Sequence, residues 1–207
     1  MIDIFDKNNI DLSNITCHSG GAIGADTHWE EIGKKFRVKT RAYSYKTKSH
    51  TTPNKVEISD DDYIEGVGEV NRANLILKRY GINKFMNLLA RNWAQVKYSE
   101  QVFAIGTFVR PGEKDSKGYT NKGTIDVVSG GTGYACAMCI NSGKELFLFD
   151  QVRDNWFRWS YTSNSFVQLK NCPKITKQNF AGIGTREIKQ NGIDQIEMVY
   201  KLTFSNE

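Results

Sequence analysis

Short apolar runs alternate along this chain with segments of helical periodicity, and glycine clusters stand where one gives way to the other. Residues 14–18 read as a first strand. The glycine turn Ser19-Gly20-Gly21-Ala22-Ile23-Gly24-Ala25-Asp26 follows, and then a helix over 25–35 with Trp29 and Ile32 inward and Glu30, Glu31, Lys34 and Lys35 outward. Residues 37–45 form a second strand that Val38 opens, and a polar loop over 46–55 holds His50 and Pro53. Ser59 supplies a cap and Asp60-Asp61-Asp62 an acidic first turn for the next helix. That helix runs in two parts, 60–79 and, past the Gly81 break, 84–96.

Residues 101–108 (QVFAIGTF) are the most strand-like run. The stretch 110–123, with three glycines, a proline and several charges, reads as a mobile loop long enough to be a lid. Val127-Val128 lead into Gly130-Gly131-Thr132-Gly133, and a helix over 133–141 follows, closed by Gly143. Then come a strand over 145–149, a small hairpin from 156–161 and 166–169, a strand over 180–183 running into Gly182-Ile183-Gly184-Thr185-Arg186, and an amphipathic closing helix over 193–204. Strand–helix alternation of this kind predicts an α/β fold: one Rossmann-like three-layer domain over 1–207, with a mostly parallel sheet and a small β-hairpin insertion.

Composition narrows the function without naming it. The formal charge of +5 and pI of about 8.9 favour anionic ligands. The basic stretches, such as Lys34-Lys35-Phe36-Arg37-Val38-Lys39, are short and broken, which speaks against dedicated nucleic-acid binding. No apolar stretch approaches the roughly 20 residues that span a bilayer, and residues 1–14 are acidic and polar rather than a secretory signal. A cytoplasmic protein with no membrane partner and four reduced cysteines is therefore expected. Cys136 and Cys139 form a C-x-x-C inside an apolar helical run with no second ligand pair, so they read as buried small hydrophobes; no metal and no cofactor are expected.

The chemistry lies in the three glycine turns, each at a strand-to-helix junction where backbone N–H groups face an anion. Gly20, Gly21 and Gly24, after Ser19, serve either a close ligand approach or tight packing of strand on helix. Asp26 either takes a ribose or amine hydrogen bond or caps its helix. Gly130, Gly131, Thr132 and Gly133 make a phosphate cradle with the Thr132 hydroxyl, or simply a tight turn into a buried helix; Tyr134 stacks on a base or sugar, or joins the core. Gly182, Gly184, Thr185 and Arg186 combine a permissive backbone with a hydroxyl and a guanidinium suited to bidentate phosphate recognition, unless Arg186 pairs with Glu187. Arg91 and Asn92, beside Trp93, and Gly106 with Thr107 at the end of the QVFAIGTF strand complete the candidate ligand-binding set. No catalytic residue is assigned: the histidines are His18, His28 and His50, and no Ser-His-Asp or Cys-His arrangement is evident.

Together these turns resemble a known set. Ser19-Gly20-Gly21-Ala22-Ile23-Gly24-Ala25-Asp26 is similar to the SGG-x-x-GxD turn of the SLOG superfamily, the Rossmann-like domains of DNA-processing protein A, LOG phosphoribohydrolases and molybdenum-cofactor carriers. Ala90-Arg91-Asn92 resembles its mid-domain R-N, Gly130-Gly131-Thr132-Gly133 its GGT turn, and Gly182-Ile183-Gly184-Thr185-Arg186 its G-x-G-S/T-R. The last of these comes first in the superfamily and last here, which implies a circular permutation, with the closing helix packed beside residues 14–18 and the chain ends close together. The glutamate that acts on the N-glycosidic bond in LOG proteins aligns with Ala137. Asp26, Asp126 and Glu187 are the substitutes at hand, and nothing singles one out.

The resemblance thus implies a homo-oligomeric binding protein for a nucleotide-derived small molecule: ADP-ribose, a cyclised ADP-ribose or a cyclic oligonucleotide. The ligand would be sequestered rather than transformed, as by a phage-encoded sponge acting in the host cytoplasm against nucleotide-signalled immunity. The alternatives are a nucleotide hydrolase that cleaves an N-glycosidic or phosphate bond, and a nucleic-acid-processing accessory.

Overall fold

The computed structural model describes residues 10–48, 50 and 52–204. Six parallel strands form the body of one sheet: β1 (Thr16–Ser19), β2 (Lys39–Ser44), β3 (Lys55–Glu57), β4 (Gln101–Gly106), β7 (Glu145–Asp150) and β10 (Asn179–Gly184). Antiparallel β8 (Asn155–Ser160) and β9 (Ser165–Gln168) extend it, giving the order β3-β2-β1-β10-β4-β7-β8-β9. The hairpin read from the sequence is therefore the edge of the main sheet. A separate two-stranded ladder pairs β5 (Phe108–Val109) with β6 (Val127–Val128).

Alternation along the strands sorts the core into two layers. Cys17, Phe103, Ile105, Phe149 and Phe180 face α1 (Ala25–Lys35) and α5 (Gln190–Phe204). Val102, Ala104, Leu146, Leu148, Ala181 and Ile183 face α2 (Asp60–Leu77), α3 (Met86–Lys97) and α4 (Thr132–Asn141). Such a sheet, buried on both faces, is the three-layer α/β arrangement the pattern predicts. No helix among the described residues is long and apolar enough to cross a membrane.

Some boundaries move for local reasons. The second strand starts at Lys39 because Arg37 takes a left-handed φ of 58° and Val38 donates to the Gly33 carbonyl at 3.0 Å, so both residues close α1. The polar stretch after β2 ends in β3, a three-residue edge strand too short to carry a pattern. The QVFAIGTF run divides at Thr107, where the chain leaves the main sheet and Phe108 pairs with Val128. The second part of the 60–96 helix starts at Met86, behind a 3₁₀ turn over Ile82–Phe85. Both C-x-x-C thiols are buried in α4, where burial pushes Cys136 up to about 12, and among the described residues no group of His, Cys, Asp and Glu is placed to hold a metal.

Charged groups lock α3 at its far end. Lys144 donates to the carbonyls of Val96, Lys97 and Ser99 at 2.6, 3.0 and 2.6 Å, which occupies acceptors that a helix C-terminus leaves open. Asp62, in the first turn of α2, accepts from Lys97 Nζ at 2.9 Å and from the Tyr98 hydroxyl at 3.1 Å. Burial works to raise the Asp62 carboxyl, but these hydrogen bonds together outweigh it and hold the group below its ordinary range. A depressed carboxylate lends stability that is lost as pH falls below about 4. Asp62→Asn is accordingly expected to flatten the acid limb of the stability-versus-pH curve, read by thermal denaturation from pH 2 to 6. An unchanged acid limb would refute this.

Candidate functional site

The helices part company at one place on the sheet. After β10 the chain feeds α5 on one face, whereas after β4 it runs through β5 and β6 into α4 on the other. The carboxyl edge between β10 and β4, flanked by β1, is thus the switch point at which such folds bind ligands. Backbone bonds sew these strand ends together: Thr185 N donates to Ile105 O at 2.9 Å and Ala25 N to Thr185 O at 3.0 Å. Ser129 N donates to Thr107 O at 2.9 Å, which places the Gly130–Gly133 turn beside Gly106 and Thr107. The structure therefore gathers the turn after β1, the turn after β10 and the turn before α4 on one edge.

Asp26 and Arg91 form the floor. The Asp26 carboxylate accepts from Arg91 Nη1 at 3.4 Å, and the backbone N–H groups of Ala22 and Gly184 face it closely enough to favour its charged form. It is thus neither a free ribose acceptor nor a simple cap, but the tie between two turns and α3. Burial raises the Asp26 carboxyl and lowers Arg91; their mutual attraction opposes both shifts. Arg91 Nη1 also donates to Gln95 Oε1 at 2.7 Å. A Cβ on Gly20 would lie 1.6 Å from that same Nη1, so the guanidinium occupies the space a side chain there would take. Ser19 Oγ donates to the Asp26 carbonyl at 3.0 Å and holds the turn from below.

Several glycines turn out to serve packing. A Cβ on Gly182 would stand 2.5 Å from Trp29 Cγ, and one on Gly184 would stand 2.5 Å from the Ala25 Cβ. Both let α1 lie close against β10. Gly24, at φ 111°, would meet Arg186 Cα at 2.5 Å, and Gly133 would meet the Val128 carbonyl at 2.1 Å. Gly21, at φ 59°, sits under Thr52, whose hydroxyl donates to the Glu30 carboxylate. Gly130 and Gly131 differ, because nothing lies within 4 Å of a Cβ at either. They face open space at the start of α4.

Side chains anchor that open turn from behind. Arg79 donates to Gly130 O at 2.5 Å and to Val128 O at 2.7 Å, its guanidinium against the rings of Tyr119 and Tyr134. Tyr134 is 3% exposed and its hydroxyl donates to Asn74, so it is spent on packing rather than presented to a base. Asn92 Nδ2 reaches Gly131 O at 3.5 Å, linking α3 to the turn. Thr132 is buried, while Thr185 is half-buried and Arg186 exposed on the same edge. Arg186 makes no ion pair with Glu187, which lies 3.7 Å from Lys117.

Two surface concavities, of about 370 and 580 Å³, both border Lys170, Asn171 and Lys174, and no residue of the three turns lines either. Unpaired polar atoms mark the glycine edge instead. Of six buried side-chain polar atoms without a partner among the described residues, four lie there: Arg91 Nε, Gln95 Nε2, His50 Nδ1 and Ser129 Oγ. Each such group costs about 1–3 kcal/mol while it stays unpaired. Gln95, one turn beyond Arg91, was missed, because its spacing from Arg91 is equally that of an ordinary helix pair. His50 was visible only as loop content, and Arg79 gave no signal, because its partners are distant in sequence. No family model, no curated protein and no solved structure matches the chain.

Proposed function

We propose that this protein binds and holds a nucleotide-derived small molecule, with its phosphate against the N-terminus of α4 at Gly130 and Gly131. One observation carries the reading. Three glycine turns meet where the helices diverge from a parallel sheet, and the one turn with open space above it begins a helix, the backbone arrangement that favours an anion. The side-by-side position of β1 and β10 also supports membership of the SLOG superfamily in permuted order. So does Tyr200 of α5, which donates to the Trp29 carbonyl and lies in the same buried cluster as Cys17 of β1. Met1 and Glu207, whose proximity the permutation requires, lie outside the described residues.

Holding is favoured over cleaving by the state of the carboxylates. Ala137, at the position the superfamily gives to glutamate, is buried in α4. Asp26 is taken up by Arg91, Asp126 accepts from Phe166 N at 2.9 Å, and Glu187 is exposed beside Lys117. The ligand class carried over from the resemblance is ADP-ribose, cyclised ADP-ribose or a cyclic oligonucleotide. A protein that holds such a signal without destroying it blunts the signal, as a phage-encoded sponge does.

Heat-denaturing the purified protein and weighing the released small molecules by mass spectrometry tests the reading. Unchanged nucleotide supports holding, whereas conversion of an added nucleotide panel to product overturns it in favour of the hydrolase. Gly131→Asp gives a second test. Gly131 has an αR backbone (φ −63°) and open space, so aspartate fits. The melting temperature should move by no more than about 2 °C. Ligand affinity should fall on the order of 100-fold, since the new carboxylate repels a phosphate. Full binding by the variant, measured by calorimetry with the released molecule, would remove the turn from the site.

A further inference from the structure

The unpaired buried nitrogens of the carboxyl edge gather on the β1 side, away from Gly130 and Gly131. Arg91 and Gln95, one helical turn apart on α3, are 2% and 1% exposed. Arg91 Nη1 already serves both Asp26 and Gln95 Oε1, while Arg91 Nε and Gln95 Nε2 have no acceptor among the described residues. His50 arrives from the β2–β3 connection with its ring edge-on to Tyr45 at 5.9 Å, and its buried Nδ1 also has no partner among the described residues. The charges acting on His50 are those of Arg91 and Lys55. Asp26, the carboxylate in contact with Arg91, meets that guanidinium only through Nη1, at 3.4 Å.

Nitrogen donors around a guanidinium call for an anionic group rich in acceptors, and a phosphoryl group meets that description. We infer that Arg91, Gln95 and His50 form a second phosphoryl subsite, so that the ligand carries two phosphoryl groups held apart by a sugar or a ring. The spacing rests on the reading of Gly130–Gly131 as the first cradle. Gly20, over Arg91, follows β1, whereas Gly106, beside the Gly130–Gly133 turn, ends β4, and β10 lies between them. Two strand spacings, about 10 Å, therefore separate the subsites. Two phosphates that share one bridging oxygen cannot reach both; a bisphosphorylated nucleoside or a cyclic dinucleotide can.

Calorimetry of the full chain with inorganic phosphate, adenosine 5′-monophosphate and adenosine 3′,5′-bisphosphate tests this, because the ratio of the two nucleotides cancels the contribution of the base. The bisphosphate is expected to bind at least about tenfold more tightly than the monophosphate. Gln95→Glu keeps the oxygen that accepts from Arg91 but replaces the donor with a second oxygen; His50→Phe keeps the ring volume. With unchanged far-UV circular dichroism, each should erase most of the tenfold advantage while leaving the monophosphate within about twofold. Equal affinities in the parent protein, or an advantage that survives both variants, would overturn the inference. Monophosphate binding that Gly131→Asp abolishes keeps the earlier reading alive in that event. Failure of all three probes to bind overturns both.

Discussion

Asp26→Asn is expected to cost about 3–5 kcal/mol of folding stability, which lowers the melting temperature by roughly 10 °C in a chain of this size. The substitution is nearly isosteric; it removes the charge and turns one acceptor oxygen into an amide donor, leaving the Arg91 guanidinium buried without a counter-ion. Arginine cannot escape by releasing its proton. Arg91→Leu should behave differently, because the carboxyl it strands can take up a proton. Burial already raises Asp26, and loss of the guanidinium raises it further. An acid whose folded-state pKa lies above its unfolded value binds the extra proton in the folded state, so stability falls as pH rises through that window. Arg91→Leu is therefore expected to be mild near pH 4 and severe near pH 8, while Asp26→Asn shows no such slope. The double variant Asp26→Leu/Arg91→Met should regain most of the loss. Urea denaturation across pH decides the matter: losses below about 1 kcal/mol in both single variants would show that the pair does not hold the turns to α3.

Gly182→Val carries the second large effect, about 3 kcal/mol, the upper part of the range for overpacking a core. The new Cβ would meet Trp29 Cγ, Cδ2 and Cβ at 2.5, 2.6 and 2.9 Å. The indole cannot step aside. Its edges meet Phe180 and Tyr200 at ring-centre distances of 6.0 and 5.6 Å, and its Nε1 donates to Ile183 O at 3.3 Å. Movement would have to pass into α1 as a whole, and α1 carries the Gly20–Asp26 turn on its N-terminus. Ligand affinity should drop together with stability. Shrinking the obstacle in Gly182→Ala/Trp29→Leu should recover part of the loss relative to the sum of the two single changes, a coupling read from a double-mutant cycle. Strict additivity would deny the contact its role.

The bounds of α1 were legible because its charge pattern is local: Asp26 in the first turn, Lys34 and Lys35 in the last, Trp29 and Ile32 between them. The start of α2 was legible for the same reason, since the Ser59 side chain accepts from Asp62 N only three residues away. Gly182 and Gly184 show where a sequence runs out. Room for a helix and room for a ligand ask for the same residue, and only the approach of Trp29 and Ala25 tells the two apart. Gln95 and His50 were hidden by a related ambiguity. Their significance lies in a missing partner, and a missing partner has no spacing to read. Tyr134 went the other way: an aromatic beside a glycine turn promises stacking on a base, but Arg79, which is remote in sequence, and Asn74 claim it first.

The place of β10 also governs how the chain can be built. Among the described residues it is the last strand in sequence, yet it lies between β1 and β4 and pairs with both. A ribosome emitting this chain therefore releases β1, β2, β3, β4 and β7 before the strand that joins the two halves of the sheet exists. Until it arrives, β1 and β4 each present an open row of backbone donors and acceptors, the kind of edge that recruits foreign strands. Closure waits on the pairing of β1 with β10, segments far apart in sequence, a topology that folds slowly and leaves incomplete chains prone to aggregate. Insertion of β10 unites both halves of the sheet and, by carrying Gly184 and Thr185 into place, sets the glycine edge in the same step.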